Sequence, residues 1–337
     1  MTTLRRALVT GGSGLIGRHV LRALVERSPA LAVGVVTRRP DALPPLPPGH
    51  RAIELDLSRS IDIEDDFDLV IHCAGEIRDS GRMAQTNVEG TRHLLDWAIR
   101  RGVQRFIHFS SVAVYGAAAG RNRVDERSPH APDNPYAVSK ELSEDMVRQR
   151  CGEHGIDHVI LQPANVISLR PFTEDHLLNL MRQIQRGRFR HFRGPDAVFN
   201  YIGAEAVANV VTACIDEPLA GRTFILNTPH RLHDVVGWIA EELAVDIRPR
   251  PWPRAIGAAA GAVFDGAARI SGRSMPFSLA RFRELTNARV FDAAAVAAAF
   301  PGAQTPGLEA TVRALARRYL AEGKLDAVPG TPSRRCA

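Results

Sequence analysis

The stretch "ALVTGGSGLIGRHVLRALVE", residues 7–26, decides the fold. Its first residues form a short apolar run of strand type, and from Leu15 onward the apolar positions recur at helical spacing. Between the two, Gly11, Gly14 and Gly17 follow one another at every third position. Glycines placed there allow a tight turn, close approach of backbone to a pyrophosphate and close helix–sheet packing. The helix N-terminus adds free N–H groups and the positive end of its dipole. In this strand–turn–helix context the pattern predicts a dinucleotide cofactor.

The same alternation continues outward. Strand-type runs "AVGVVT" (32–37), "RAIEL" (51–55), "DLVIHCAG" (68–75), "RFIHFSS" (105–111) and "DHVILQP" (157–163) are separated by helical segments such as "VEGTRHLLDWAIRRG". Continuous apolar strands between helices are what a parallel sheet covered on both faces requires. The fold class read from this is α/β: a Rossmann-type doubly wound sheet over residues 1–164, to which strands from about 200–228 are candidates to return. Residues 165–324 read as a smaller, mainly substrate-binding α/β part, and 325–337 as a flexible tail. The proline-rich "RPDALPPLPPGH" (39–50) reads as a surface loop, and no internal repeat is evident.

Composition narrows the function classes. The chain has 337 residues, 45% of them hydrophobic and 24% charged, which suits a soluble globular protein. Its net charge of +6 is spread among arginines interleaved with acids, so no nucleic-acid partner is expected. The densest basic stretch, "MRQIQRGRFRHFRG" (181–194), reads as a solvated helix end and strand, the alternative being contact with a phosphate-bearing substrate. Four scattered cysteines lack metal-ligand spacing, so no metal is expected, and the location expected is a reducing cytoplasm. The Ala/Gly-rich "AIGAAAGAVFDGAARI" (255–270) is too short for a membrane span and is interrupted by Asp265; an amphipathic or lid-like helix fits it better.

At the end of the second strand, "VVTRRPD", Thr37 stands where an acid would bind the ribose diol, and Arg38 and Arg39 follow. Guanidinium accommodates a 2′-phosphate, so NADP is favoured, with NAD as the alternative if both arginines are surface charge. Asp56, followed by Leu57 in "ELDLS", either accepts from an adenine amino group or caps a turn. Ala74 and Gly75 in "IHCAGEI" are small enough for a cofactor to lie on the backbone.

The chemistry is carried by "NPYAVSKELSE" (134–144). The chain holds only two lysines, Lys140 and Lys324. Pro135 suits a first helical turn, so Tyr136 and Lys140 project from one face. A phenol ordinarily titrates at about 10, and a neighbouring ammonium is expected to lower that value and make Tyr136 an acid–base group. Ser110 and Ser111 end the fifth strand, where a hydroxyl can hold a substrate carbonyl.

These motifs, together with "TGGSGLIG", "TNVEGT", "FSSVAVYG", "PYAVSK", "QPANVIS" and "FNYIGAEAVANVV", resemble the extended short-chain dehydrogenase/reductase superfamily, its epimerase/dehydratase family and its steroid-dehydrogenase and flavonol-reductase branch. The resemblance selects Ser111 over Ser110, matches Tyr136 and Lys140, and adds Asn87 as a residue steadying the site. It implies cofactor contacts from Leu15, Ile16, Cys73, Ala74, Gly75 and Pro163, and substrate contacts from Asn165, Phe199 and Tyr201. It also implies a homodimer through the helices at 84–101 and 135–150. Two departures stand out: Val112 and Ala113 replace the Asp-Glu pair of the dehydratases, and Phe199 replaces an arginine of the sugar-nucleotide enzymes. The reading is therefore an NADP(H)-dependent oxidoreductase interconverting a carbonyl and a secondary alcohol on a small-molecule substrate. The alternatives are an NAD-dependent nucleotide-sugar 4-epimerase and a non-catalytic NAD(P)-sensing protein.

Overall fold

Strand β1 (Arg6–Thr10) leads into α1 (Leu15–Arg27), followed by β2 (Ala32–Thr37), β3 (Arg51–Glu54), β4 (Leu69–His72), α2 (Ser80–Met83), α3 (Gly90–Arg100), β5 (Arg105–Phe109), β6 (Arg123–Val124) and α4 (Pro135–Glu153). The chain continues through β7 (Asp157–Pro163), β8 (Asn165–Ile167), α5 (His176–Gln185), β9 (Val198–Phe199), β10 (Tyr201–Gly203), α6 (Ala204–Asp216), β11 (Arg222–Leu226), β12 (His230–Arg231) and α7 (Leu232–Leu243). It closes with α8 (Arg254–Ser271), α9 (Leu279–Glu284), β13 (Val290–Phe291), α10 (Ala294–Ala299) and α11 (Leu308–Ala321). This computed structural model describes residues 4–116, 122–169, 176–247, 251–271 and 278–326, so the tail expected at 325–337 lies outside the described residues from 327 on.

Two compact units divide the chain. The first comprises Met1–Ile167, Tyr201–Thr228 and Phe291–Gly307. Its centre is a seven-stranded sheet in the order β11-β7-β5-β4-β1-β2-β3, every neighbouring pair parallel. Strand order reverses on either side of β1, and Thr10 aligns with Val36 of β2 and His72 of β4. Such a switch point opens a crevice at the carboxyl ends of the strands. Helices α1 and α6 cover one face, where Val20, Leu24, Val207, Val210 and Val211 join Val9, Ile71 and Val159 in one core. On the other face Leu94, Leu95, Trp97 and Val147 of α3 and α4 pack with Val70, Phe106 and Ile160. The Trp97 indole donates to Ile63 O at 3.1 Å. Truncating it to alanine would cost about 3–5 kcal/mol by the usual large-to-small rule.

At the opposite edge, Arg105 ties the scaffold together. Its Nε donates to Asp157 at 3.1 Å, and its terminal nitrogen caps the carbonyls of Cys214 and Ile215 at 2.9 and 2.6 Å. The last turn of α6 is thereby held to β5 and β7, satisfying carbonyls that a helix end leaves free.

The second unit comprises Ser168–Asn200, Pro229–Val290 and Leu308–Ala337. Its described part is largely helical, its strands being the antiparallel pair β9–β12 with His230 opposite Phe199. Helices α5, α7 and α11 pack on one another, and α8 on α9. Arg313 and Arg317 of α11 form ion pairs with Glu241 and Glu242 of α7.

Candidate active site

The glycine turn is built for backbone proximity. Gly11 has φ +68°, and a β-carbon there would stand 2.7 Å from the Ala74 backbone. A β-carbon on Gly17 would stand 2.2 Å from Gly11 O, so α1 sits against the turn only because both positions are glycine. Gly14 N–H donates to Gly11 O at 2.9 Å. Gly14 is also the N-cap of α1, which has no side-chain cap and no acid in its first turn. The helix start at half-buried Leu15 and Ile16 thus keeps its positive end for an outside anion. Thr10 Oγ1 accepts from Ala74 N at 3.2 Å and bonds His72 Nδ1 at 2.7 Å, fastening Cys73, Ala74 and Gly75 beside the turn. Burial raises the Cys73 thiol, which leaves it neutral.

At the end of β2, Thr37 is buried and its hydroxyl accepts from Arg39 N at 3.2 Å and donates to Ser13 at 3.3 Å, while Arg38 and Arg39 are exposed. Asp56 accepts from Ser58 N at 3.0 Å, and that bond, aided by the charges of Arg38 and Arg59, holds its carboxyl below the usual range. Asp56 is thus a turn cap. Leu57 is buried in the core against Gly90, so only its backbone remains for a cofactor.

The strand end and helix that carry the chemistry meet at a cavity of about 330 Å³, lined by Ser111, Val112, Ala113, Gly116, Asp133, Asn134, Tyr136, Ala164, Asn165 and Phe291. Asn134 caps α4 by accepting from Ala137 N at 3.0 Å, and Pro135 occupies the first turn, so Tyr136 is presented at the helix mouth. Ser111 accepts from Ala113 N at 3.1 Å and lines the cavity together with Tyr136. Ser110 is buried, and its hydroxyl has no hydrogen-bond partner among the described residues. Burial raises the Tyr136 phenol, with the influence of the Ser111 hydroxyl opposing it. The expected lowering by Lys140 is therefore not what governs this phenol in the folded chain; desolvation is.

Lys140 itself is buried, its ammonium 3.7 Å from where a β-carbon on Gly75 would stand. Burial lowers its pKa to about 8, against the opposing influence of Glu144 and Cys73. Asn87 lies on a π-helical turn, Ala84–Glu89, between α2 and α3. Its Oδ1 accepts from Glu76 N at 2.7 Å, and its Nδ2 donates to Glu76 O at 3.0 Å and to Ser139 Oγ at 2.9 Å. Ser139 in turn donates to Tyr136 O at 2.8 Å. Asn87 therefore braces the strap after β4 against α4.

Beneath these groups runs a buried polar floor. His72 Nε2 bonds Thr91 at 2.9 Å, so this histidine bridges Thr10 and Thr91. Burial lowers its pKa to about 3, and the Lys140 charge acts in the same direction. Glu144, also buried, pairs with Arg148 and accepts from Gln162 at 3.0 Å, while Gln162 accepts from Tyr115 at 2.7 Å.

Among the sequence-predicted substrate residues, the structure brings Asn165 to the cavity wall but not Phe199 or Tyr201. Phe199 belongs to the second unit, paired with His230. Tyr201 is buried in β10 opposite Asn165 of β8, its carbonyl accepting from Thr228. Pro163 is buried at the end of β7, one residue before the cavity-lining Ala164. Asp133, Asn134, Gly116 and Phe291 were missed as lining residues. Asn134 before Pro135 is an N-cap signal that could have found the first pair, while nothing in the local sequence points to Phe291.

The architecture and the strand-end site define a Rossmann-type protein of the extended short-chain dehydrogenase/reductase superfamily. Residues 7–226 match the NAD dependent epimerase/dehydratase family, and the chain belongs to it. It is 32% identical over 213 residues to UDP-glucose 4-epimerase of Azospirillum brasilense, a match covering 58% of this chain and 60% of that enzyme's length. It is 29% identical over 261 residues to sterol demethylase protein B of Methylococcus capsulatus, covering 74% of this chain and 76% of that one. In three dimensions it is similar to the crystal structure of UDP-glucose 4-epimerase with UDP-glucose from Thermotoga maritima, with a TM-score of 0.68 and 20% identity, over 93% of this chain and 98% of that one.

Proposed function

We propose that the protein is an NADP(H)-dependent oxidoreductase interconverting a carbonyl and a secondary alcohol. The observation that carries this reading is the placement of Ser111 and Tyr136 on the wall of one cavity, with Lys140, on the same helix as Tyr136, holding its buried ammonium near Gly75 at the end of β4. A dinucleotide fits the cradle formed by Gly11, Gly14 and Gly17, the free start of α1 and the backbone of Cys73–Gly75. When bound, its nicotinamide supplies or removes the hydride. Exposed Arg38 and Arg39, with no acid at the end of β2, support a 2′-phosphate on the adenosine ribose.

The chain's own residues handle the proton. Burial keeps the phenol of Tyr136 protonated through the neutral range, so it serves as the acid that donates to a carbonyl oxygen during reduction. The Ser111 hydroxyl holds that oxygen and stabilises the phenolate left behind. Lys140 supplies positive charge at the ends of β4 and α4 below pH of about 8. Asn87 holds the helix and strap in register. Among the described residues the lining of the cavity contains one carboxylate, Asp133, and no basic side chain, which suits a neutral alcohol or ketone better than an anion.

The second reading, an NAD-dependent nucleotide-sugar 4-epimerase, is favoured by the family match and uses the same residues to oxidise and re-reduce one carbon. The test is NADPH and NADH consumption with a ketone panel, against interconversion of UDP-sugars with NAD. Tyr136→Phe should lower turnover by about 10²–10⁴ while leaving dinucleotide affinity unchanged. Full turnover by that variant, or UDP-sugar epimerisation without ketone reduction, overturns the lead.

A further inference from the structure

Among the described residues, half of the exposed large apolar side chains lie on one short piece of the second unit: Trp252 is 44% exposed, Ile256 50% and Val263 69%. Ile256 and Val263, seven residues apart on α8, share one side of the helix, and Trp252 stands two residues before its start. Ala255, Ala259 and Ala262 are exposed with them, making an apolar ridge without a charge from Trp252 to Val263.

The opposite side of α8 is committed inward. A β-carbon on Gly257 would stand 2.4 Å from Phe192 and 2.7 Å from Phe282, and one on Gly261 would stand 2.8 Å from Leu279 N. Phe192 and Phe282 meet edge-on at 5.1 Å between centroids. The ridge therefore cannot turn in without breaking this seat.

Beside the ridge runs the basic segment 186–193. Trp252 N donates to His191 O at 2.8 Å, and Arg193 N donates to Trp252 O at 2.9 Å, so the segment is tied to the ridge's first residue by backbone. Arg186, Arg188 and Arg193 are exposed on it, and Arg269 is exposed near the far end of α8. Two nearby acids are engaged locally: Asp196 accepts from His233 N at 3.2 Å and Asp265 from Leu279 N at 3.1 Å. A tryptophan and aliphatic ridge flanked by arginines is the pattern of a helix that lies in a membrane interface, its apolar side in the acyl boundary and its cations at anionic headgroups. No helix among the described residues is long and apolar enough to cross a membrane, so the contact is in-plane.

We propose that the ridge of Trp252, Ile256 and Val263, with Arg186, Arg188, Arg193 and Arg269, docks the protein on an anionic lipid surface. Charge complementarity selects this occupant: the arginines need a surface dense in anions, and the ridge needs hydrocarbon alongside it.

Flotation of the full-length protein with vesicles tests it, using phosphatidylcholine alone and phosphatidylcholine with roughly one-third phosphatidylglycerol. Binding is expected to the anionic vesicles and to fall with added salt. Arg188→Gln and Arg193→Gln should each weaken it roughly fivefold, and Val263→Asp or Ile256→Asp about tenfold or more. These positions are exposed, and a thermal melt matching the parent checks folding; Val263→Ser replaces an aspartate variant that melts early. Failure to bind anionic vesicles, or binding unaffected by all of these substitutions, overturns the proposal. So does self-association in solution that Val263→Asp abolishes without any vesicle binding, since the ridge would then belong to a second copy of the chain.

Discussion

Replacing Asn87 with alanine removes three hydrogen bonds at once: from Glu76 N, to Glu76 O and to Ser139 Oγ. Each is worth about 1 kcal/mol net, and a buried partner left without one costs more. Glu76 is only partly buried, so its backbone recovers water when the amide is gone, whereas Ser139 is buried and keeps only its bond to Tyr136 O. The sum is a loss of about 2–3 kcal/mol in unfolding free energy. Urea denaturation of the parent, Asn87→Ala, Ser139→Ala and the double variant measures it, and the cycle isolates an Asn87–Ser139 coupling of about 1 kcal/mol. Asn87→Asp preserves the acceptor for Glu76 N but turns both donors into acceptors facing Glu76 O and Ser139, so it should be no more stable than the alanine variant. If Asn87→Ala unfolds within about 0.5 kcal/mol of the parent, the amide is not a brace and the positioning argument fails.

Lys140 makes stability depend on alkaline pH. Its folded pKa is lowered to about 8 from the ordinary 10.5, so the unfolded chain binds more protons between those values and stability rises with pH across that window. At full extent the rise is about 3 kcal/mol; Lys140→Met should flatten it, and an unchanged slope in pH-dependent urea melts would rule the buried ammonium out as its source. Gly11→Ala forces a side chain into φ +68° and against Ala74, costing at least about 1–2 kcal/mol and disrupting the dinucleotide cradle. Fluorescence titration with NADPH and NADH should show a loss of affinity, and affinity held within about twofold contradicts it. Val138 and Leu142, 40% and 50% exposed and one turn apart on α4, fit the homodimer proposed from sequence. Sedimentation should give a dimer that Leu142→Asp dissociates, whereas a parent that is monomeric at every concentration removes the interface.

The sheet was legible because each of its central strands is buried on both faces, leaving continuous apolar runs that need no partner to be recognised. The glycine turn was legible because backbone geometry constrains residue type locally, and Tyr136 and Lys140 because helical spacing alone puts them on one side. Helix α4 was harder. Its buried side carries Ser139, Lys140, Ser143 and Glu144, so it shows almost no apolar stripe and announced itself only through Pro135. The bordering role read for Phe199 and Tyr201 followed from their place in a motif, whereas the cavity wall is built by Asp133, Asn134 and Phe291. The sequence by itself determined the doubly wound architecture, the glycine turn and the placement of Tyr136 and Lys140 one turn apart on a helix, since each rests on periodicity or on one residue's backbone freedom. Only the tertiary structure decided what sets the phenol's acidity and which distant side chains enclose it, because desolvation and shape arise from segments remote in the chain.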